Sequence, residues 1–383
     1  MRTRTKENQS NFKRAAVEFS QTLPYLQEPY SRRAWGNGLH SLCSYQGKLK
    51  PSIAHFLVKF FTNSGDRVLD PMSGCGTIPL EAFLQGRHAM GNDLQELGYI
   101  LTRAKVQTGL ESEVASVLKD ILQHIEKRKN KQNLSRYDTF GFNGKIPEYF
   151  DKMTLREVLA AREYLKLNPC RSWGQAIVYS SLLHILHGNR PYALSRRSHS
   201  VIPLKPSGEF AYRGLAPRLK AKMERTLACS IPEHMLAGTA TQLPFSELPY
   251  DNEIDVVITS PPFVASTRFY VSNWMRLWLS GWEPQDFKTR PKQFLEYQQK
   301  KSMDAYIEFF NCCGRWLRPN GKLIMHVGKT KACNMAEELI MRAEDKFELV
   351  YFFDEDVTSR EKFGIKDQGA TISHQFVFFR LIE

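Results

Sequence analysis

The sequence predicts an α/β fold built on an open sheet, and three segments carry that prediction. Ile254-Asp255-Val256-Val257-Ile258-Thr259 is short, β-branched and preceded by polar turn residues, so it reads as a buried strand. Val68-Leu69-Asp70 reads as another, followed by a turn with two glycines, Gly74 and Gly76, and a helix over Ile78–Gln85. Phe347–Phe353 and Gln375–Leu381 are strands at the right distance for a closing antiparallel pair, with a charged loop between them. Ligands of open α/β sheets bind outside the carboxyl ends of the strands. The two segments that follow Asp70 and Thr259 are therefore the candidate site.

Ser260-Pro261-Pro262-Phe263 ends the first of these strands. Two prolines cannot continue a ladder, and they fix a rigid turn at the strand end. The turn presents a hydroxyl, the Pro261 carbonyl and an aromatic ring together. That set suits a flat ring bearing an exocyclic amine, with the oxygens accepting from the amine and Phe263 stacking on the ring. In the other turn, Asp70-Pro71-Met72-Ser73-Gly74-Cys75-Gly76-Thr77, the glycines let backbone approach a ligand and the following helix start favours polar or anionic groups. About twenty residues on, Ala89-Met90-Gly91-Asn92-Asp93 reads as a strand ending in an acid suited to ribose hydroxyls.

Together these motifs resemble the amino-methyltransferases, which use S-adenosylmethionine to methylate exocyclic nitrogens of DNA bases. A serine opening the Pro-Pro-aromatic motif is most typical of the cytosine-N4 branch; aspartate or asparagine is more typical of adenine-N6 enzymes. The resemblance implies a Rossmann-like methyltransferase fold, a mixed seven-stranded sheet with a terminal antiparallel strand pair and an inserted target-recognition region. It implies catalytic roles for Ser260, Pro261, Pro262 and Phe263, and cofactor contacts from Asp70, Met72, Ser73, Gly74, Gly76, Thr77 and Asp93, with Asp70 facing the methionine moiety. Leu39–Pro51 resembles the segment that closes over the methionine end of the cofactor, where Lys48 would pair with the carboxylate. One departure stands out. Family members often carry an acid before the catalytic strand for the adenine amine, and Ala237-Gly238-Thr239-Ala240-Thr241-Gln242 has none.

The order of the motifs places residues 1–131 as a lead-in with the cofactor half, 132–235 as an inserted helical and basic target-recognition region, and 236–383 as the catalytic half. Residues 1–35 read as an irregular lead-in. Pro51–Asn63 has apolar residues at helical spacing and Pro51 in its first turn. Gly98–Lys131 reads as one helical stretch with a basic, solvated end. In the insert, Thr154–Lys166 and Trp173–Leu186 read as helices and Gly188–Pro217 as a loop. Ser272–Ser280, Asp304–Leu317 and Met335–Ala343 read as helices, and Lys322–Val327 as a strand after a turn at Arg318–Gly321.

The 383-residue chain carries a net charge of +13, which favours a polyanion partner. Between Arg190 and Arg225 nine Lys and Arg face only Glu209 and Glu224, a local balance of +7, with Tyr192, His199, Phe210 and Tyr212 interleaved. This pattern suits a nucleic-acid surface; Arg190, Arg196, Arg197 and Arg213 there, with Arg268 beyond the Pro-Pro turn, are the candidate DNA contacts. Double-stranded DNA is the expected partner, with a cognate restriction endonuclease as a second. Seven cysteines with no zinc-like spacing read as reduced thiols, and no metal is expected. The first thirty residues lack an apolar signal core and no stretch is long enough to span a membrane, so a cytoplasmic location is expected. Adenine-N6 methylation of DNA, methylation of a guanine-N2 amine in RNA, and non-catalytic nucleic-acid binding on the same fold are the rival readings.

Overall fold

A computed structural model of the chain describes residues 2–32, 34–229, 231, 235–264, 268–357 and 371–382. Its centre is one seven-stranded sheet: β1 (Arg67–Asp70), β2 (His88–Asn92), β3 (Thr239–Thr241), β4 (Ile254–Thr259), β5 (Leu317–Thr330), β6 (Phe347–Asp356) and β7 (Thr371–Leu381). The spatial order is β3-β2-β1-β4-β5-β7-β6. β1 to β5 run parallel, with Asp70 beside Gly91 and Leu69 beside Val257. β7 is antiparallel to both β5 and β6. Strand order reverses between β1 and β4, so the turns after Asp70 and Thr259 open on the same crevice.

Helices follow the strands: α1 (Arg2–Thr22), α2 (Pro51–Phe61), α3 (Thr77–Leu84), α4 (Glu96–Val106), α5 (Glu111–Arg128), α6 (Lys152–Leu167), α7 (Trp173–Ile185), α8 (Leu215–Leu227), α9 (Trp274–Leu279), α10 (Ala305–Trp316) and α11 (Met335–Ala343). Both sheet faces are apolar, as a sheet covered on both sides requires. Val68, Val256, Ile258, Ile324, Phe376 and Phe378 point to one side, into a cluster with α1, α2 and α3. Leu69, Val257, Leu323, Met325 and Val377 point to the other, against Tyr306, Phe309, Trp316 and Leu339 of α10 and α11. The alternation residue by residue is the period of two that a strand dictates.

Within the expected irregular lead-in, residues 2–22 differ from expectation. Arg2–Thr22 is helix, not an irregular lead-in. Phe12, Ala16 and Phe19 fall on one helical face and bury against the sheet; Phe19 lies 5.6 Å from Phe376, ring centroid to centroid. The stretch Gly98–Lys131 is two helices, because α4 ends where the Gly238 N–H docks on the Val106 carbonyl (2.7 Å) and Trp173 packs against Gly109, where a Cβ would meet the ring at 2.7 Å. Pro217 is in the first turn of α8, not in the loop, a position where its missing N–H costs nothing. β5 starts at Leu317, so the expected turn at Arg318–Gly321 is an irregular strand start, with Asn320 at φ +64°.

The 132–235 segment packs as α6, α7 and α8 on α4, α5 and α9, and all six share one apolar cluster around Trp274 and Trp278. Its helix starts are written in the sequence. Asp151 Oδ1 accepts from the Met153 N–H (2.8 Å), and Ser172 and Gln175 form a reciprocal cap on α7. Among the described residues no helix is long and apolar enough to cross a membrane.

Candidate active site

Strain and close approach build the turn after β1. Gly74 and Gly76 sit at φ +52° and +71°, where a side chain is costly. A Cβ on Gly76 would meet Thr102 Cα at 2.9 Å, so this glycine also lets α4 pack beneath the turn. Backbone bonds close it: the Ser73 N–H donates to the Asn92 carbonyl (2.8 Å) and the Gly76 N–H to the Ser73 carbonyl (2.7 Å). Two acids brace it. Asp70 Oδ1 accepts from the Met72 N–H (3.2 Å) and from Thr259 Oγ1 (2.8 Å), tying the turn to β4. Asp93 Oδ2 accepts from the Gly74 N–H and Oδ1 from the Gln95 N–H, both at 2.8 Å.

A cavity of about 260 Å³ opens over this turn, at the carboxyl ends of β1, β2 and β4. Asp70, Met72, Ser73, Gly74, Thr77, Asp93, Lys48, Ser260 and Pro262 all line it. Gly76 lies beneath the lining, against Thr102. Lys48 donates to the His40 carbonyl (2.9 Å) at the rim. The segment carrying it is pinned from below by Glu81 of α3, whose buried carboxylate takes His40 Nε2 (2.6 Å) and His55 Nδ1 (2.9 Å). Burial alone would raise Glu81, but the two imidazole bonds outweigh it and hold the carboxyl below its ordinary value.

Ser260 Oγ lies 3.0 Å from Nδ1 of the buried His326 on β5. Pro262 presents its carbonyl to Gln299 Nε2 (3.0 Å), and Tyr306 O–H holds the Gln299 side chain at 2.9 Å. Phe263 is placed differently from the expected stacking ring. It packs on β5 with its centroid 5.5 Å from His326, over Gly328, where a Cβ would meet the ring at 2.3 Å. The rings on the cavity wall are instead Tyr45 and Phe269, stacked at 6.3 Å, with Phe245 and Phe294. Glu296 fixes Phe269, both carboxylate oxygens accepting from its N–H at 3.1 Å.

Sequence reasoning missed Asn92, His326, Glu296 and Phe269. Asn92 had the clearest signal, standing between Gly91 and Asp93 at the strand end. Its amide donates to the Pro71 and Leu243 carbonyls (3.1 and 3.0 Å) and accepts from Thr241 Oγ1 (2.9 Å) and the Leu243 N–H (3.1 Å), saturating the side chain and locking β3 onto the turn. His326 was a lone imidazole in an apolar strand run. The acid-free stretch 237–242 forms β3 and its end; the wall beyond it is Leu243-Pro244-Phe245-Ser246.

The basic candidates lie outside the cavity lining. Arg190, Arg197 and Arg268 are exposed. Arg213 donates to the Ala193 and Ser195 carbonyls (3.1 and 2.7 Å). Arg196 donates to the Glu148 carbonyl (2.9 Å) and stacks 4.1 Å from the Phe210 centroid. These two arginines order the 188–214 loop.

This sheet order, with an acid-braced glycine turn at its switch point, gives the chain a Rossmann-like methyltransferase fold, and S-adenosylmethionine is the cofactor that such a fold implies. The residues fit that group: Asp70 offers a buried acceptor and Asp93 a half-buried one, Lys48 a cation for a carboxylate, and Leu94, Leu243 and Phe245 an apolar wall. Residues 41–145 match the UPF0020 family, described as an RMKL-like methyltransferase domain. Over 84 residues the chain is 26% identical to the type II methyltransferase M.MjaII of Methanocaldococcus jannaschii, covering 22% of this chain and only 16% of that protein. Among solved structures, TrmN from Thermus thermophilus aligns with a TM-score of 0.35 at 13% identity, over 88% of this chain and 50% of its own. The rRNA methyltransferase aviRa from Streptomyces viridochromogenes aligns with a TM-score of 0.33 at 11% identity, over 92% and 93%.

Burial pushes Asp70 and Asp93 up to about 7. A carboxyl raised on folding lends stability that is complete below its unfolded value, about 4, and lost as pH rises through about 7. Ligand hydroxyls and a sulfonium favour the ionised form, so binding lowers these values and expels protons. Calorimetric titration of the cofactor at pH 6.5 in buffers of different ionisation heat should show a net release on the order of one proton. A binding enthalpy independent of buffer would remove these acids from the contact.

Proposed function

We propose that this chain transfers the methyl group of S-adenosylmethionine to the exocyclic N4 amine of cytosine in DNA, after the base has been flipped out of the duplex. The observation that carries this reading is Ser260-Pro261-Pro262 at the end of β4, with Ser260 and Pro262 lining the same cavity as the Asp70–Gly74 turn. S-adenosylmethionine supplies an electrophilic methyl group when bound. The chain's task is then to make a poor nucleophile available, because an exocyclic amine has its lone pair spread into the ring. His326 contributes here: in the tautomer with the proton on Nε2, its Nδ1 accepts a hydrogen bond from the Ser260 hydroxyl, and the serine oxygen is left to accept from the amine. The Tyr45–Phe269 pair offers the flat apolar wall for a base. Holding the partners in line is worth up to ~7–11 kcal/mol of the barrier.

Support for cytosine comes from the serine that opens the turn, and support for a polyanionic substrate from the +13 charge. The substrate is decided by incubating the protein with methyl-labelled cofactor and either DNA or RNA, then resolving the nucleosides by mass spectrometry. Label should appear in N4-methylcytosine from DNA. Label in N6-methyladenine would overturn the base, label only in RNA the substrate class, and no transfer at all would leave a binding protein.

A further inference from the structure

A second cavity, of about 290 Å³, lies between the 38–42 segment, the end of α7 and α8. It is lined by Lys222 and Arg225 of α8, His184 of α7, Ser41, Thr226 and Cys229, with Gly38, Leu39 and Leu42 completing the wall. No carboxylate is among these lining residues, although the cavity holds two cations. Both belong to the basic stretch Arg190–Arg225, and α8 turns them onto one face three residues apart.

Lys222 is nine-tenths buried, at 8% exposure. Its ammonium reaches the Ser41 carbonyl at 3.3 Å, a long bond for a charged donor. Arg225 stands at the exposed mouth; its Nε donates to the Ala221 carbonyl (3.1 Å) and its guanidinium lies 5.9 Å from the Tyr192 ring centroid. His184 stacks on the same ring at 4.8 Å, and its buried Nδ1 has no hydrogen-bond partner among the described residues. A buried cation without a carboxylate is costly unless an anion answers it. Burial, with Arg225 and Lys105 nearby, pushes Lys222 down to about 8, which leaves the ammonium the main form at neutral pH.

We propose that this cavity is a phosphate-binding site, with Lys222 at its floor, Arg225 at its mouth, and Ser41, Thr226 and His184 as polar neighbours. Tetrahedral oxygens suit a compact ammonium at depth and a forked guanidinium above it. The site does not depend on which base is methylated. Its phosphate comes either from a polynucleotide backbone or from a free phosphate.

The test is calorimetric titration of the full chain with inorganic phosphate at pH 7. Saturable binding at one site is expected, weakened at least tenfold by Lys222→Met and by Arg225→Glu, while S-adenosylmethionine still binds both variants with wild-type affinity. Arg225 is exposed, so its replacement leaves the fold in place. Absence of saturable phosphate binding, or unchanged binding by Arg225→Glu, would overturn the site. A short single-stranded oligonucleotide distinguishes the sources. Competition with inorganic phosphate assigns the site to the nucleic-acid backbone; simultaneous binding supports the phosphate site and assigns it to a free anion. Neither result depends on methyl transfer, so a failure of the methylation assay leaves this site standing.

Discussion

Ser260→Ala is expected to lower the turnover number by about a hundredfold or more, the scale seen when one preorganised hydrogen-bonding group is removed from a reacting centre. Affinity for S-adenosylmethionine should stay within about twofold, because an interaction made with the reacting amine shows in turnover and not in cofactor binding. The reason is geometric. Ser260 is held by His326 at 3.0 Å on one side and faces the cavity on the other. Alanine removes the acceptor, leaving the Pro-Pro turn and the Gln299 bond to Pro262 in place. His326→Phe keeps a ring in the same buried space and should produce a smaller loss, about tenfold, since the serine then keeps its oxygen but loses the group that orients its proton. Single-turnover rates with saturating cofactor would check both. Unchanged turnover in Ser260→Ala would remove the serine from the chemistry.

Gly74→Val should weaken S-adenosylmethionine binding by about a hundredfold or more while the melting temperature moves by only a few degrees, given a left-handed cost of ~1–2 kcal/mol. At φ +52°, the new Cβ would stand 3.6 Å from the Tyr45 ring, an ordinary contact, and the remaining methyls would occupy ligand space on the cavity wall. Gly76→Val makes the useful contrast. Its Cβ would strike Thr102 Cα at 2.9 Å, so that variant should lose stability as well as ligand. Calorimetric titration beside thermal melts separates the two. Wild-type affinity in Gly74→Val would move the cofactor elsewhere.

The fold was legible because its strands are short apolar runs ended by unmistakable chain breakers: two prolines after Thr259, two glycines after Asp70. The parts of the cavity wall formed by the turns after Asp70 and Thr259 were legible for the same reason, since turn residues at strand ends are local in sequence. What escaped was contact between distant segments. His326 meets Ser260 across 66 positions, and nothing near either residue announces the other. Glu296 reaches Phe269 from a short helical turn that has no strong period of its own. Phe263 was read as the ring that stacks on the base, but the space over Gly328 that receives its ring is a property of β5. The amino-terminal helix was missed because its polar average conceals three apolar residues on one face.

That helix has a consequence for how the chain comes to be folded. Its apolar stripe rests on β7, and Tyr25, just past its end, donates to Glu355 on β6. During synthesis this helix thus waits for partner strands some 330 positions further along the chain. At about 5–20 residues per second, that wait is on the order of tens of seconds. Lys13, Arg14 and Glu18 on its exposed side keep the waiting segment hydrated. Vectorial synthesis cannot complete this sheet stepwise. The high sequence separation of these contacts makes a slow search and couples the helix to β6 and β7 in one cooperative event.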